Sequence, residues 1–179
     1  MRRAPTHFAR KMAADLRLQW ADMPLQSATP APSVLDEFLV RAQITRENRP
    51  VVLVFLRSDC PWCASEVPRL SDVFSRHIKF DLAVLGVACG HDSAETAALF
   101  QSEKQLSFSV VPDEGGALRE AFAIERVPSV VIMNSRGLVE RTFEGVTEQL
   151  AGIVEQTLGA VADDSPPPVY EMIGNGCAP

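Results

Sequence analysis

The sequence predicts an α/β fold, a mixed and mainly parallel sheet with helices on both faces, and three observations lead to that class. The runs at 51–56 and 82–88 are continuously apolar, as in strands that are buried on both faces. Segments with helical apolar spacing alternate with these strands, which requires right-handed crossovers between parallel strands. Two further strands, at 129–133 and 138–143, flank a turn at 134–137 and form a closing antiparallel hairpin at the sheet edge.

Local signals place the elements in order. Ser33 is a candidate N-cap for a first helix that Pro50 stops, and Asp92 with Glu95 has the spacing of a capping box. Pro68 is expected to kink the second helix. The predicted elements are a helix over 33–48, a strand over 51–56, a helix from 61, a strand over 82–88, a helix over 92–104, a strand over 108–111, a short helix over 116–122, the two hairpin strands and a helix from 147, which makes a sheet of about five strands.

Composition and charge restrict the function classes. A chain of 179 residues with 46% hydrophobic and 22% charged residues has the make-up of one globular domain with a proper core. The formal net charge of −6 leaves no broad cationic face for a phosphate backbone, so we expect no nucleic-acid partner. We expect an N-terminal extension and linker over 1–32, a folded domain over 33–159 and a flexible C-terminal tail over 160–179.

The apolar runs also bear on membranes and location. None approaches the roughly 20 residues that span a bilayer, so we expect no integral membrane segment. The first residues are basic but lack the continuous apolar stretch of a signal peptide. The sequence as given favours a cytoplasmic protein, but the compartment stays open, because a processed chain would look the same.

The chemistry centres on Cys60 and Cys63, a CxxC pair between a buried strand and a helix that begins at Pro61. Backbone N–H groups and the dipole at a helix N-terminus stabilise an anion, so Cys60 is expected to ionise readily and act as the nucleophile. Cys63 lies on the same helical face, is expected to be less exposed, and can resolve a mixed disulfide formed at Cys60. The pair predicts a thiol–disulfide oxidoreductase, without fixing the direction of electron flow.

A zinc site is the main alternative use of the two cysteines. A closed zinc site requires four ligands, so the CxxC pair would need two more. We favour redox chemistry without a metal, interpret Cys89 as a small buried hydrophobe, and expect Cys177 to be an unpaired cysteine in the tail. The remaining candidate ligands are Cys89, His91, His77, His7 and Cys177.

A family resemblance covers residues 33–159. The stretches that carry it are VVLVFLRSDCPWCASEVPRL and VVPDEGGALREAFAIERVPSVVIMNSRGLVERTFEG, with the pattern CxxCxxExP at Cys60, Cys63, Glu66 and Pro68. They resemble the thioredoxin-fold thiol:disulfide oxidoreductases, in the TlpA/ResA-like branch of the redoxin (AhpC/TSA) superfamily. The resemblance implies a thioredoxin-like three-layer sandwich that exchanges disulfides with a protein or low-molecular-weight thiol. We expect no cofactor and a monomer; relatives in this branch are often periplasmic or membrane-tethered.

The resemblance also implies roles for residues around the pair. Pro128 looks like the cis-proline that faces the cysteines, and the Val127 backbone offers hydrogen bonds to an extended substrate segment. Glu66 exchanges a proton with Cys63 or tunes the thiol pKa values; a solvated helix carboxylate is the alternative. Trp62 offers a flat apolar surface to a partner or packs locally.

Four residues near the pair depart from known patterns. Asp59 precedes Cys60 where many relatives have tryptophan, and its charge opposes thiolate formation. Val54 stands where plain thioredoxins bury an aspartate. A peroxiredoxin-like peroxidase is a second hypothesis, but Leu53 and Arg57 replace the proline and threonine of its PxxxTxxC motif. A non-enzymatic scaffold or metallochaperone is a third.

Overall fold

A computed structural model of the chain describes residues 29–46, 48–77, 82–146 and 150–162. Outside the described residues lie residues 1–28 of the predicted N-terminal extension, with His7, the predicted start of the last helix at Thr147, and residues 163–179 of the predicted tail, with Cys177. The elements are β1 (Thr29–Pro30), α1 (Val34–Arg41), β2 (Val51–Leu56), α2 (Pro61–His77), β3 (Ala83–Ala88), α3 (Ala94–Glu103), β4 (Ser109–Pro112), a 3₁₀ turn (Glu114–Gly116), α4 (Ala117–Ala121), β5 (Ser129–Met133), β6 (Leu138–Glu144) and α5 (Leu150–Ala162).

The sheet is mixed and has the strand order β1-β6-β5-β2-β3-β4. β2 pairs in parallel with β3, which pairs in parallel with β4, whereas β5 runs antiparallel to both β2 and β6. Every side chain of β2, β3 and β5 is buried, as continuous apolar runs predict. The predicted α/β class with a mixed sheet is confirmed.

The closing hairpin does not lie at the edge of the sheet, so its predicted position was wrong. Thr29 and Pro30 form β1 and pair antiparallel with Val139 and Leu138, so β1 covers β6 and adds a sixth strand. A two-residue segment that includes proline has no strand signal of its own. Its conformation follows from pairing with a strand edge that is already in place.

Helix α1 ends at Arg41, well before the predicted stop. A Schellman motif terminates it: Gln43 has a φ of 57° and donates its N–H to the Val40 carbonyl at 3.0 Å, while Ile44 donates to the Leu39 carbonyl at 2.8 Å. The left-handed position of this motif is usually glycine. Because glutamine occupies it here, no local signal marks this helix end.

The capping box of α3 is formed by Ser93 and Thr96, so the prediction of Asp92 and Glu95 was wrong by one residue. The Thr96 N–H donates to Ser93 Oγ at 3.3 Å, and the Ser93 N–H donates to Thr96 Oγ1 at 2.8 Å. Ser33 occupies the N-cap position of α1 as predicted, but its hydroxyl makes no capping hydrogen bond. The Asp92 carboxylate has a different role, which is described below.

Helix α2 continues through Pro68 and buries Cys63 in the core. It packs against α5. Within the described residues, no helix combines the length and apolar character that crossing a bilayer requires. Each of these two helices buries one apolar face: α2 buries Val67, Leu70, Val73 and Phe74, and α5 buries Leu150, Ile153, Val154 and Leu158.

Candidate dithiol active site

Cys60 lies at the junction of the central strand β2 and helix α2. Its N–H donates to the Arg57 carbonyl at 3.3 Å, and its own carbonyl accepts the Ala64 N–H at 3.0 Å. Cys60 is therefore the N-cap residue of α2. At this position the helix dipole favours a thiolate over a thiol, as the sequence analysis expects.

Cys60 and Cys63 lie near each other at the start of α2. Both are buried, with 1% and 0% of their surfaces exposed. The expected difference in exposure between the two cysteines is therefore marginal.

The loop before β5 lies against Cys60. The Cys60 thiol donates to the carbonyl oxygen of Val127, with 3.9 Å between sulfur and oxygen. The Val127–Pro128 peptide bond is cis, which confirms the conformation that the resemblance implies. Both residues are buried. The fold thus brings Val127 and Pro128 to the predicted nucleophile from a position far along the chain.

Two carboxylates from other elements hold the loops of this site. Asp92, which follows β3, accepts the Ser58 N–H at 2.8 Å and also the Ser58 hydroxyl. Glu144 of β6 accepts the backbone N–H groups of Glu125 and Arg126 with its Oε2, each at 3.2 Å. Sequence reasoning missed both contacts, because no spacing rule connects residues that meet only after the sheet has formed.

Arg57 compensates the charge of Asp59 beside the nucleophile. The Arg57 Nε and Nη2 donate to the two carboxylate oxygens of Asp59 at 2.8 and 2.6 Å. This hydrogen bonding lowers the pKa of Asp59, although burial opposes the shift. The expected penalty on the Cys60 thiolate is therefore offset by a cation on the same loop. Arg57 binds a carboxylate at the place where the peroxidase motif requires a threonine.

Glu66 is buried, with 2% of its surface exposed on the inner face of α2. Its Oε2 accepts the Arg69 Nη1 at 3.1 Å, whereas Oε1 has no hydrogen-bond partner among the described residues. Burial raises the pKa of Glu66, and the Arg69 cation opposes that rise. The alternative interpretation of Glu66 as a solvated helix carboxylate is therefore wrong.

Trp62 and Cys89 differ sharply in exposure. Trp62, between the two cysteines, is 42% exposed, so its ring is available to a partner. Cys89 is buried at the end of β3, and burial together with the Asp113 carboxylate raises the pKa of its thiol to about 12. A thiol with this pKa is not nucleophilic near neutral pH.

The zinc alternative finds no ligand set in the described part of the chain. Within 29–46, 48–77, 82–146 and 150–162, no three side chains of histidine, cysteine, aspartate or glutamate are grouped so as to hold a metal ion. His91 is exposed, and His77 lies at the far end of α2 from the cysteines, with its Nε2 3.9 Å from Glu155.

Three features define a thioredoxin-fold dithiol protein: an α/β fold with a mixed sheet, a CxxC pair at a helix N-terminus, and a cis-proline loop against the first cysteine. Residues 35–142 match the AhpC/TSA family model, and the chain belongs to this family.

Similar proteins place the chain within the family. Sporulation thiol-disulfide oxidoreductase A of Bacillus subtilis (strain 168) is 24% identical over 149 residues, which cover 78% of this chain and 90% of that protein. Thiol-disulfide oxidoreductase ResA of Halalkalibacterium halodurans is 26% identical over 105 residues, which cover 58% of this chain and 59% of that protein. A secreted disulfide oxidoreductase of Mycobacterium tuberculosis shares the fold, with a TM-score of 0.54, 24% identity, and coverage of 65% of this chain and 83% of that chain. The protein is a TlpA/ResA-like thiol–disulfide oxidoreductase.

Proposed function

We propose that Cys60 is the nucleophile and Cys63 the resolving cysteine in thiol–disulfide exchange with a protein partner. The assignment rests on the position of Cys60 as the N-cap of α2, with its sulfur 3.9 Å from the Val127 carbonyl. The helix dipole stabilises the thiolate of an N-cap cysteine more than that of a cysteine inside the first turn. Cys63 is therefore the second sulfur to react.

The reaction consists of two displacements. The Cys60 thiolate attacks one sulfur of the partner disulfide, forms a mixed disulfide and expels the other partner sulfur as a thiolate. The Cys63 thiolate then attacks the Cys60 sulfur, releases the first partner sulfur as a thiolate and closes the Cys60–Cys63 disulfide. Two electrons pass from the dithiol to the partner, and the reverse sequence oxidises a partner dithiol.

Glu66 exchanges a proton with Cys63 in this scheme. Both side chains lie on the buried face of α2 with the i, i+3 spacing that makes helical neighbours. The carboxylate accepts the Cys63 proton as the thiol becomes the attacking thiolate, and then gives it to the expelled partner sulfur. Burial supports this role, because a raised pKa makes Glu66 a better base.

Val127, Pro128 and Trp62 contact the partner. The Val127 carbonyl accepts a hydrogen bond from the Cys60 thiol. Once Cys60 has lost its proton, this carbonyl is available to an N–H group of an extended partner segment. The buried Pro128 is the next residue along the chain, and the exposed Trp62 ring offers an apolar contact. We expect one chain to form the whole site as a monomer, which light scattering of the purified protein tests.

Three cysteine variants test the assignment with insulin as the disulfide substrate. Cys60→Ser should abolish insulin reduction, and Cys63→Ser should accumulate a mixed disulfide at Cys60 that mass spectrometry detects. Cys89→Ser is the control and should retain activity, because its thiol is buried and protonated. Full activity of both Cys60→Ser and Cys63→Ser would contradict the proposal.

A further inference from the structure

Arg69 lies one turn after Glu66 on α2 and binds the outer side of its carboxyl group. The Arg69 Nη1 and the Glu66 Oε2 are 3.1 Å apart. The Arg69 side chain is 57% exposed, whereas the Glu66 side chain is 3% exposed. This ion pair therefore connects a buried carboxylate of the candidate site to a cation at the protein surface.

The two oxygens of Glu66 are in different situations. Oε2 is bound by Arg69, while Oε1 is buried and has no hydrogen-bond partner among the described residues. A buried carboxylate oxygen without a hydrogen bond is costly, and such atoms call for a functional explanation. Cys63 lies three residues earlier on the same buried face, so its thiol is a proton donor on the side of α2 to which Glu66 belongs.

We propose that Arg69 is a positioning residue for disulfide exchange: it holds Oε2 of Glu66 at the solvent side and leaves Oε1 as the atom that takes the Cys63 proton. The proposal rests on the proposed function, in which Glu66 and Cys63 exchange that proton. In the second displacement, the S–H bond of Cys63 breaks and an O–H bond forms at Oε1. The new thiolate attacks Cys60, the bond between Cys60 and the partner sulfur breaks, and the expelled thiolate takes the proton from Oε1.

The charge of Arg69 has a second effect on this step. A cation beside a carboxyl group favours the ionised form, so Arg69 opposes the effect of burial on Glu66. Only the ionised form can accept a proton. Without Arg69, the carboxyl group would stay protonated up to a higher pH and would be unable to serve Cys63 over that range.

The experiment measures the second displacement against pH. With a limiting amount of dithionitrobenzoate and reduced protein, the second release of thionitrobenzoate reports the attack of Cys63 on the mixed disulfide at Cys60. The carbon-13 shift of the Glu66 carboxyl group, titrated in parallel, reports its ionisation directly. Arg69→Gln removes the charge, and Arg69→Lys retains it. Arg76→Gln is the matched control, since Arg76 is on the same helix, is 55% exposed and binds Glu155 at 3.0 Å.

We expect Arg69→Gln to move the acid limb of the rate profile and the carboxyl titration to higher pH. The rate of the second release at pH 7 should fall by on the order of tenfold, part of the roughly 10²- to 10⁴-fold that proton transfer contributes. Arg69→Lys should restore the wild-type profile, and Arg76→Gln should leave it unchanged.

The other outcomes separate two failures. In the first failure, Glu66→Gln removes the acid limb of the rate profile, but Arg69→Gln changes neither that limb nor the titration of the Glu66 carboxyl group. Arg69 then does not position Glu66, while the proposed proton exchange stands. If Glu66→Gln also leaves the limb in place, the proton exchange is wrong, and the role of Arg69 is wrong with it. Equal shifts for Arg69→Gln and Arg76→Gln would likewise overturn the proposal, since they would report only the loss of a surface charge.

Discussion

Asp92 accepts two hydrogen bonds from Ser58, although 34 positions separate the two residues in the sequence. Ser58 lies two residues before Cys60, and Asp92 lies between β3 and α3. The loop that carries the candidate nucleophile is therefore fixed by a side chain from the neighbouring crossover. The Thr96 hydroxyl, in the first turn of α3, lies 3.3 Å from the same carboxylate, within hydrogen-bonding distance.

We expect Asp92→Ala to reduce both the stability of the fold and the reactivity of Cys60. The substitution leaves the Ser58 N–H and hydroxyl without their acceptor, and hydrogen bonds to a charged group contribute about 1.5–3 kcal/mol. Urea denaturation should show that the free energy of unfolding falls by this amount. The reaction of Cys60 with dithionitrobenzoate should also become slower, because the loop that carries Cys60 is no longer fixed. Glu95→Ala, at an exposed carboxylate of the same helix start, is the control. Equal losses in the two variants would refute the role of Asp92.

Glu144→Ala should impair a protein substrate more than a small one. Its carboxylate holds the N–H groups of Glu125 and Arg126, directly before Val127, so its loss loosens the segment that we assign to partner binding. With insulin, the second-order rate constant should fall about tenfold, which corresponds to about 1.4 kcal/mol. With dithionitrobenzoate the change should be small. Glu120→Ala, at a side chain that is 71% exposed, should affect neither substrate. An equal decrease for both substrates would contradict the assignment.

Glu66→Gln should stabilise the fold, and the increase in the free energy of unfolding should become larger as the pH rises. Burial raises the pKa of Glu66 above its ordinary value of 4.5. Well below pH 4.5 the carboxyl group is protonated in both the folded and the unfolded chain. As the pH rises towards the folded-state pKa, Glu66 ionises in the unfolded chain before it ionises in the folded chain. The free energy of unfolding therefore falls for the wild type, whereas it does not fall in this way for Glu66→Gln.

Urea denaturation of the wild type and Glu66→Gln between pH 4 and pH 8 measures this difference. The difference in unfolding free energy should be smallest at low pH, should increase in favour of glutamine as the pH rises, and should level off above the folded-state pKa. Glu95→Gln supplies the comparison at an exposed carboxylate. A difference that stays constant with pH would show that the Glu66 pKa is not raised.

Gly86→Ala should destabilise the sheet between β3 and β4. A Cβ at this position would lie 2.8 Å from the Val110 Cγ2 and 3.1 Å from the Phe108 Cε2. Overpacking of this kind costs about 1–3 kcal/mol, which thermal and urea denaturation would both detect. Gly152→Ala in α5 is the opposite case: a Cβ there meets no atom within 4 Å, and alanine should stabilise the helix by up to about 1 kcal/mol. A neutral Gly86→Ala would mean that the two strands separate easily at this point.

Much of the fold could be predicted because its signals are local. The central strand β2 is six consecutive apolar residues, and its burial on both faces follows from that run alone. The apolar stripe on α2 similarly specifies which side of the helix enters the core. The CxxC spacing already placed two sulfurs at one helix N-terminus. By contrast, β1 and the end of α1 have no local signal, since one depends on a strand partner and the other on a left-handed glutamine.

The sequence by itself determined the order of the main elements, the dithiol and its chemistry, because these depend on residues that are neighbours along the chain. Only the tertiary structure decided the environment of the dithiol: the burial of Glu66, the bidentate pairing of Arg57 with Asp59, and the carboxylates of Asp92 and Glu144 on its two loops. The physical reason is that charge, desolvation and hydrogen bonding depend on distances in space, and the sheet fixes those distances only after distant segments have paired.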